Sequence, residues 1–260
     1  MPTFATPRPI AATVQVAGAQ VRVTASDRTD TVVLVEPIDA ANRRDVKVAE
    51  KTKVDFAGGQ LSVKTTASGD KDGSVTITID LPTGSSLVAY LAHSGVDADG
   101  SFGDCELHMA SGRVQLDRIS ALQANLSGGE VAIGHVAGRA DIEGASGQVR
   151  IGVAAADVDH SSSSGGLDID RADGSVTAKT ASGPIRIGRL TRGRAALLNG
   201  SGNIEVGIGA GTAAAIDVNS ERGSVRNTVP SRETPDAPGD KVTVHARTRH
   251  GDIVIHPAAS

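Results

Sequence analysis

Apolar residues in the second half of the chain recur at fixed distances from a repeating glycine. With that glycine as position zero, the anchors are Gly112, Gly129, Gly147, Gly165, Gly183, Gly202 and Gly223, at steps of 17, 18, 18, 18, 19 and 21 residues. Position +2 holds Val114, Val131, Val149, Leu167, Ile185, Ile204 and Val225, and position +4 runs from Leu116 to Val206 before Asn227 breaks it. Position −7 runs from Cys105 through Val158 and Val176 to Ile216, and position −5 from Leu107 through Ile142 and His160 to Val218. A third strip at +7 holds Ile119, Val136, Ala154, Ala172 and Leu190. Alternation inside a period of this length predicts an all-β parallel β-solenoid with about 18 residues per coil. Successive coils should pair in parallel at roughly the 4.8 Å strand spacing. A right-handed winding is expected, because the strict six-residue repeat of the left-handed hexapeptide helix is missing.

The first part of the chain is less regular. Ile10 to Val16, Val21 to Val23, Val32 to Val35, Thr52 to Phe56, Leu61 to Val63 and Val75 to Ile79 have strand character and are bounded by turn residues. Asn42 is placed to cap a short helix running to Glu50. One continuous domain is expected in three parts: 1–91 as N-terminal coils with a capping excursion over 36–60, 92–226 as the regular body, and 227–260 as a Pro-rich loop with closing strands. A solenoid end exposes unpaired backbone, so the caps matter. The closing run Ile253-Val-Ile255 is apolar on successive positions. That makes the C-terminal end the expected place for self-association.

Several stretches carry a family likeness: Met1-Pro-Thr-Phe, Ala25-Ser-Asp-Arg-Thr-Asp-Thr-Val-Val, Ala57-Gly-Gly-Gln-Leu, Ile79-Asp-Leu-Pro-Thr-Gly and Ala246-Arg-Thr-Arg-His-Gly-Asp-Ile-Val-Ile. Together with the repeats they resemble a bacterial putative-adhesin family of unknown function with β-strand repeats, over nearly the whole chain. The resemblance implies surface binding and carries no catalytic motif.

Composition narrows the function classes. The 260 residues include 31 Gly, no Trp, one Tyr and three Phe, which suits a thin layered core of Val, Ile and Ala. The net charge of −4 and the lack of a basic block argue against nucleic acid as a partner. No segment reads as a membrane span or a secretory leader, so a cytoplasmic location is expected. The lone Cys105 has no intramolecular disulfide partner.

Candidate chemistry lies on the outward positions. At +3 the row Arg150, Asp168, Arg186, Glu205, Arg226 alternates in sign from coil to coil, a register-fixing ladder or a docking face. At −6, Asp141 and Asp159 join Glu143 on one face of adjacent coils, a carboxylate group able to ligate Ca²⁺ or to act as acid and base. A solvated acidic face is the expectation, with no metal and no cofactor. His160 falls on an inward strip and is expected to be a core histidine bonded to a serine or a carbonyl. Asp159, His160 and Ser162 cannot converge as a triad, because neighbouring strand residues face opposite ways. His245, His250 and His256 lack zinc-ligand spacing. The corner serines Ser111, Ser146, Ser164, Ser182 and Ser201 are expected to bond turn amides. The leading expectation is a non-enzymatic interaction or assembly scaffold with a protein partner. The alternatives are a carbohydrate-active or metal-assisted enzyme using the carboxylates, and an exported adhesin binding an envelope polymer.

Overall fold

The computed structural model describes residues 2–65, 73–230 and 241–259. The chain is a parallel β-solenoid, and it divides into two compact units, Met1–Ala132 and Ile133–Ser260.

In the second unit the coils stack at the expected offsets. Val158 stands over Val176 and then Ala195, while Val149, Leu167, Ile185 and Ile204 follow one another on the next face. All of these side chains are buried, as are Ala154, Ala172 and Leu190 on the third strip. The corner glycine is required by two constraints at once. Gly183 has φ 130°, and a Cβ there would sit 2.0 Å from the carbonyl oxygen of Gly165 in the coil below. Inside the corners of Gly183, Gly202 and Gly251 a buried polar residue, Thr180, Asn199 or Thr248, satisfies the turn. Thr180 Oγ1 donates to the Ser182 carbonyl at 3.0 Å and Asn199 Nδ2 to the Gly183 carbonyl at 2.7 Å. Thr248 Oγ1 does the same for the Gly202 carbonyl at 3.2 Å, so the inner −3 residues of three successive corners all bond corner carbonyls.

The C-terminal strands do not form the last layer. Lys241–His250 pairs with Gly193–Ser201 on one side and Ala213–Arg222 on the other. Ile253–Pro257 likewise lies between Ile204–Ile208 and Val225–Asn227. The expectation that the C-terminal run offers a free face for self-association is therefore corrected. Ile253 and Ile255 are completely buried, and the coils on either side of them come from their own unit. The cause is a corner glycine overlooked in the period. Gly251 has φ 139° and stacks on Gly202, and Val244, Ala246, Ile253 and Ile255 sit at its −7, −5, +2 and +4 positions. The outermost described layer is instead 213–227, where Ile216 and Val218 are half-buried and Val225 is 45% exposed. Of the expected Pro-rich loop, residues 231–240 lie outside the described residues.

The first unit uses the same device. Ala11–Ala17 and Ala19–Ser26 pair on one side with the long strand Ser86–Leu126, and on the other with Gln60–Lys64 and Val75–Pro82. Antiparallel strands then finish the end: Lys53–Ala57 on Gln60–Lys64, Asp30–Pro37 on Val75–Pro82, and Thr3–Ala5 on Asp30–Pro37. Phe4 and Phe56 stack there at 4.9 Å. The helix Arg43–Lys51 begins at Asn42, whose side chain accepts the Arg44 N–H. The buried Asp45 carboxylate ties the helix down by accepting from Asp39 N, Asn42 Nδ2 and Ser74 N at 2.9–3.2 Å.

Candidate functional site

The carboxylates singled out in the sequence do not form an open cation site. Arg139 lies between two of them, its Nε 2.8 Å from Asp141 Oδ1 and its Nη2 2.7 Å from Asp159 Oδ2. Glu143, two residues along on the same outward face, stands exposed opposite Ser161 at −4. The charge ladder is present but shorter than expected. Arg186 donates to Asp168 at 2.6 Å and to Asp170 at 3.2 Å, and lies 4.0 Å from Glu205. Arg150 stands opposite Asp168 without an ion pair among the described residues. Arg226 is not next to Glu205, because the inserted strand puts Val254 between them. Glu205 instead meets His256 Nε2 at 3.0 Å.

His160 is buried at 5% exposure, opposite Ile142 and Ala178, as its strip predicted. The expected bond to serine is absent among the described residues: neither ring nitrogen has a hydrogen-bond partner, while Ser162 donates to Thr180 instead. Burial pushes the imidazole down to about 4, so it is neutral near pH 7. Asp159, outside with Arg139, does not meet it. His245, His250 and His256 go to separate partners, Asp217, Arg222 and Glu205.

The feature that the sequence reasoning missed is the outward −4 row and its neighbour at −2. In the first unit the −4 row reads Lys64, Gln15, Tyr90, His108, Asn125, with Gln15 in register between Lys64 and Tyr90. Beside it at −2 stand Ala17, Ala92, Ala110 and Ser127. Large tips beside small residues leave a groove of about 420 Å³. Its wall is ordered, since Tyr90 and His108 stack at 4.7 Å with 4° between their planes, and Glu106 Oε1 holds His108 Nε2 at 2.6 Å.

The second unit carries the same offsets with different chemistry. Ser161, Lys179, Leu198, Arg247 and Asn219 follow in register. Ala181 and Gly200 form the floor of a groove of about 520 Å³. Leu198 is 42% exposed. Arg247 Nη2 donates to both carboxylate oxygens of Asp217 at 2.8 Å, and together with His245 it holds the Asp217 carboxyl below the usual carboxylate range. Lys179 and Arg249 make no ion pair among the described residues. A signal for this site did exist in the sequence. The −2 positions from Ala92 to Gly200 are all Ala, Gly or Ser, which marks a notch, while Glu221 and Arg249 depart from it in the last two layers and the −4 positions share no single chemistry.

Stacked parallel coils, buried inward and grooved outward, define a β-solenoid repeat protein. The chain belongs to the Toastrack DUF4097 family, whose model matches residues 11–256. Two solved structures share the fold. A putative adhesin from Parabacteroides distasonis is 14% identical with a TM-score of 0.56, the alignment covering 97% of this chain and 95% of that one. A putative adhesin from Parabacteroides merdae is 13% identical with a TM-score of 0.50, covering 98% and 94%. No functionally curated protein shows a significant match. Among the described residues no helix is long and apolar enough to cross a membrane.

Proposed function

We propose that this chain is a non-enzymatic scaffold that holds an extended acidic segment of a protein partner along the groove of its second unit. The observation that carries this reading is the −4 row beside a floor of small residues. It repeats one side chain per coil, at the spacing of stacked strands, and so suits an extended ligand better than a compact one. Lys179 and Arg249 are free to meet carboxylates, with the exposed Leu198 between coils to meet an apolar side chain. The proposal includes a cytoplasmic location. The test is capture from native lysate by the full chain against a Lys179→Glu, Arg249→Glu variant. The expected result is a protein retained by the wild type, released by salt and lost in the variant. Equal recovery by both would overturn it.

A second reading is an exported adhesin, favoured by the names of the two structural neighbours. Cell fractionation separates the readings: recovery in the envelope fraction would support the adhesin and remove the cytoplasmic part of the proposal.

A further inference from the structure

The groove of the first unit differs from that of the second in having no charge to satisfy. Among the described residues no Lys, Arg, Asp or Glu lines it, and the nearby Glu106 is already taken up by His108. An anionic ligand would find no cation among the described lining residues, Lys64 standing past Gln15 at the end of the row. An apolar ligand would bury the polar tips of Gln15, Tyr90 and Asn125 without partners, at a cost. Those three side chains are exposed, and none has a hydrogen bond to the protein among the described residues.

Their chemistry is specific. Each amide offers two donors and an acceptor, and the phenol both gives and accepts. Hydroxyl groups have the same double character, so a hydroxyl-rich ligand can satisfy all of them whichever way it lies. The ring faces of Tyr90 and His108 are turned towards each other, at 4.7 Å and nearly parallel. Each ring keeps its outer face and its edges, and the edges, the positive side of the aromatic quadrupole, suit the oxygens of a sugar ring or hydroxyl. Opposite the tips, Ala17, Ala92 and Ala110 give a small apolar floor for C–H groups. The volume of about 420 Å³ lies in the range of small-ligand sites, and the groove runs across coils rather than closing into a hole.

The geometry points to a neutral linear glycan as the ligand of this groove, laid along Gln15, Tyr90, His108 and Asn125. The inference extends the reading of the −4 row as a binding surface and does not depend on the second unit's groove.

The test is isothermal titration of the full chain with three neutral probes, cellohexaose, chitohexaose and maltohexaose. Hexagalacturonate and a hexaglutamate peptide serve as charged controls. At least one neutral hexasaccharide should bind, and the Tyr90→Ala, His108→Ala variant should bind it about tenfold more weakly or not at all. Gln15→Ala, Asn125→Ala leaves the ring stack alone and should weaken binding about threefold, so it decides the matter if the ring variant melts differently. Lys179→Glu, Arg249→Glu should bind the glycan as the wild type does. The inference is overturned if no neutral probe binds, if the groove variants bind unchanged, or if hexagalacturonate or the peptide is preferred and lost in those same variants. Failure here with lysate capture still dependent on Lys179 and Arg249 removes the glycan alone. The opposite pattern removes the protein-partner reading alone.

Discussion

Leu197 and Leu198 are identical neighbours on one strand, yet one is completely buried and the other is 42% exposed. Leu197 belongs to the inward −5 strip and rests on Ala178, with Ala246 above it. Leu198 belongs to the outward −4 row, between Lys179 and Arg247. The period-2 alternation of a strand separates the two fates by one residue. On the inward strips chemistry is restricted to what packs, and volumes trade between coils, as in Ile142, His160 and Ala178. On the outward row it changes freely, from Tyr90 to Asn125 to Lys179. The inward strips hold the fold together, and the outward row is free of that constraint.

The contrast is broken or sharpened most strongly at Ile151, which is 1% exposed and stands in register with Ile169. Ile151→Asp buries an unpaired charge and should cost about 4 kcal/mol in chemical denaturation, while Arg150→Asp next to it should cost about 0.5 kcal/mol or less. A similar cost at both positions would erase the distinction between the two sides.

His160 tests the inward side by pH. Its folded value of about 4 lies below the ordinary 6.5, so the unfolded chain takes up the proton first as pH falls. The stability held at neutral pH should therefore decline from about pH 6.5 towards 4, by roughly 3 kcal/mol at most from this group. His160→Leu should remove that component from the acid denaturation profile. Superimposable pH profiles for the two proteins would show that the imidazole is solvated.

The leucine pair gives the next comparison. Leu197→Ala should cost about 3 kcal/mol and Leu198→Ala about 0.5 kcal/mol or less. Ile216→Ala should cost only about 1 kcal/mol, because its layer is covered on one side only. That value would show that burial comes from the stacked neighbours rather than from the coil itself. Smallest of all, Asp168→Asn should lower stability by about 0.5 kcal/mol in low salt and less in high salt, as expected for a half-exposed ion pair.

The inward half of this contrast was legible in the sequence. The three apolar strips, the corner glycines and the helix capped by Asn42 follow from spacing alone, because packing and backbone geometry act on each coil in the same way. The order of layers at the ends was not legible. Gly251 with Ile253 and Ile255 repeats the corner spacing, but pairing partners in a parallel stack are fixed by tertiary fit and not by chain order. His160 was placed correctly and its partner was not, since orphaned ring nitrogens leave no mark in a periodicity. The groove left no motif, because its positions share a size pattern at −2 and no chemistry at −4, unlike the charges at −6 and +3. Several of those charges proved to be occupied, Asp141 and Asp159 by Arg139 and Asp168 by Arg186.

The most direct test of the separation between fold and binding surface is a saturation scan of Ser86–Leu126 and Gly193–Ser201, sorted by protease resistance of the full chain. The account predicts alternation along each strand. Substitutions at Leu107, Met109 and Leu197 should be intolerant, and substitutions at Tyr90, His108, Asn125 and Leu198 tolerant even of charge. Equal intolerance at the −4 positions would contradict it, and would make that row part of what holds the coils together.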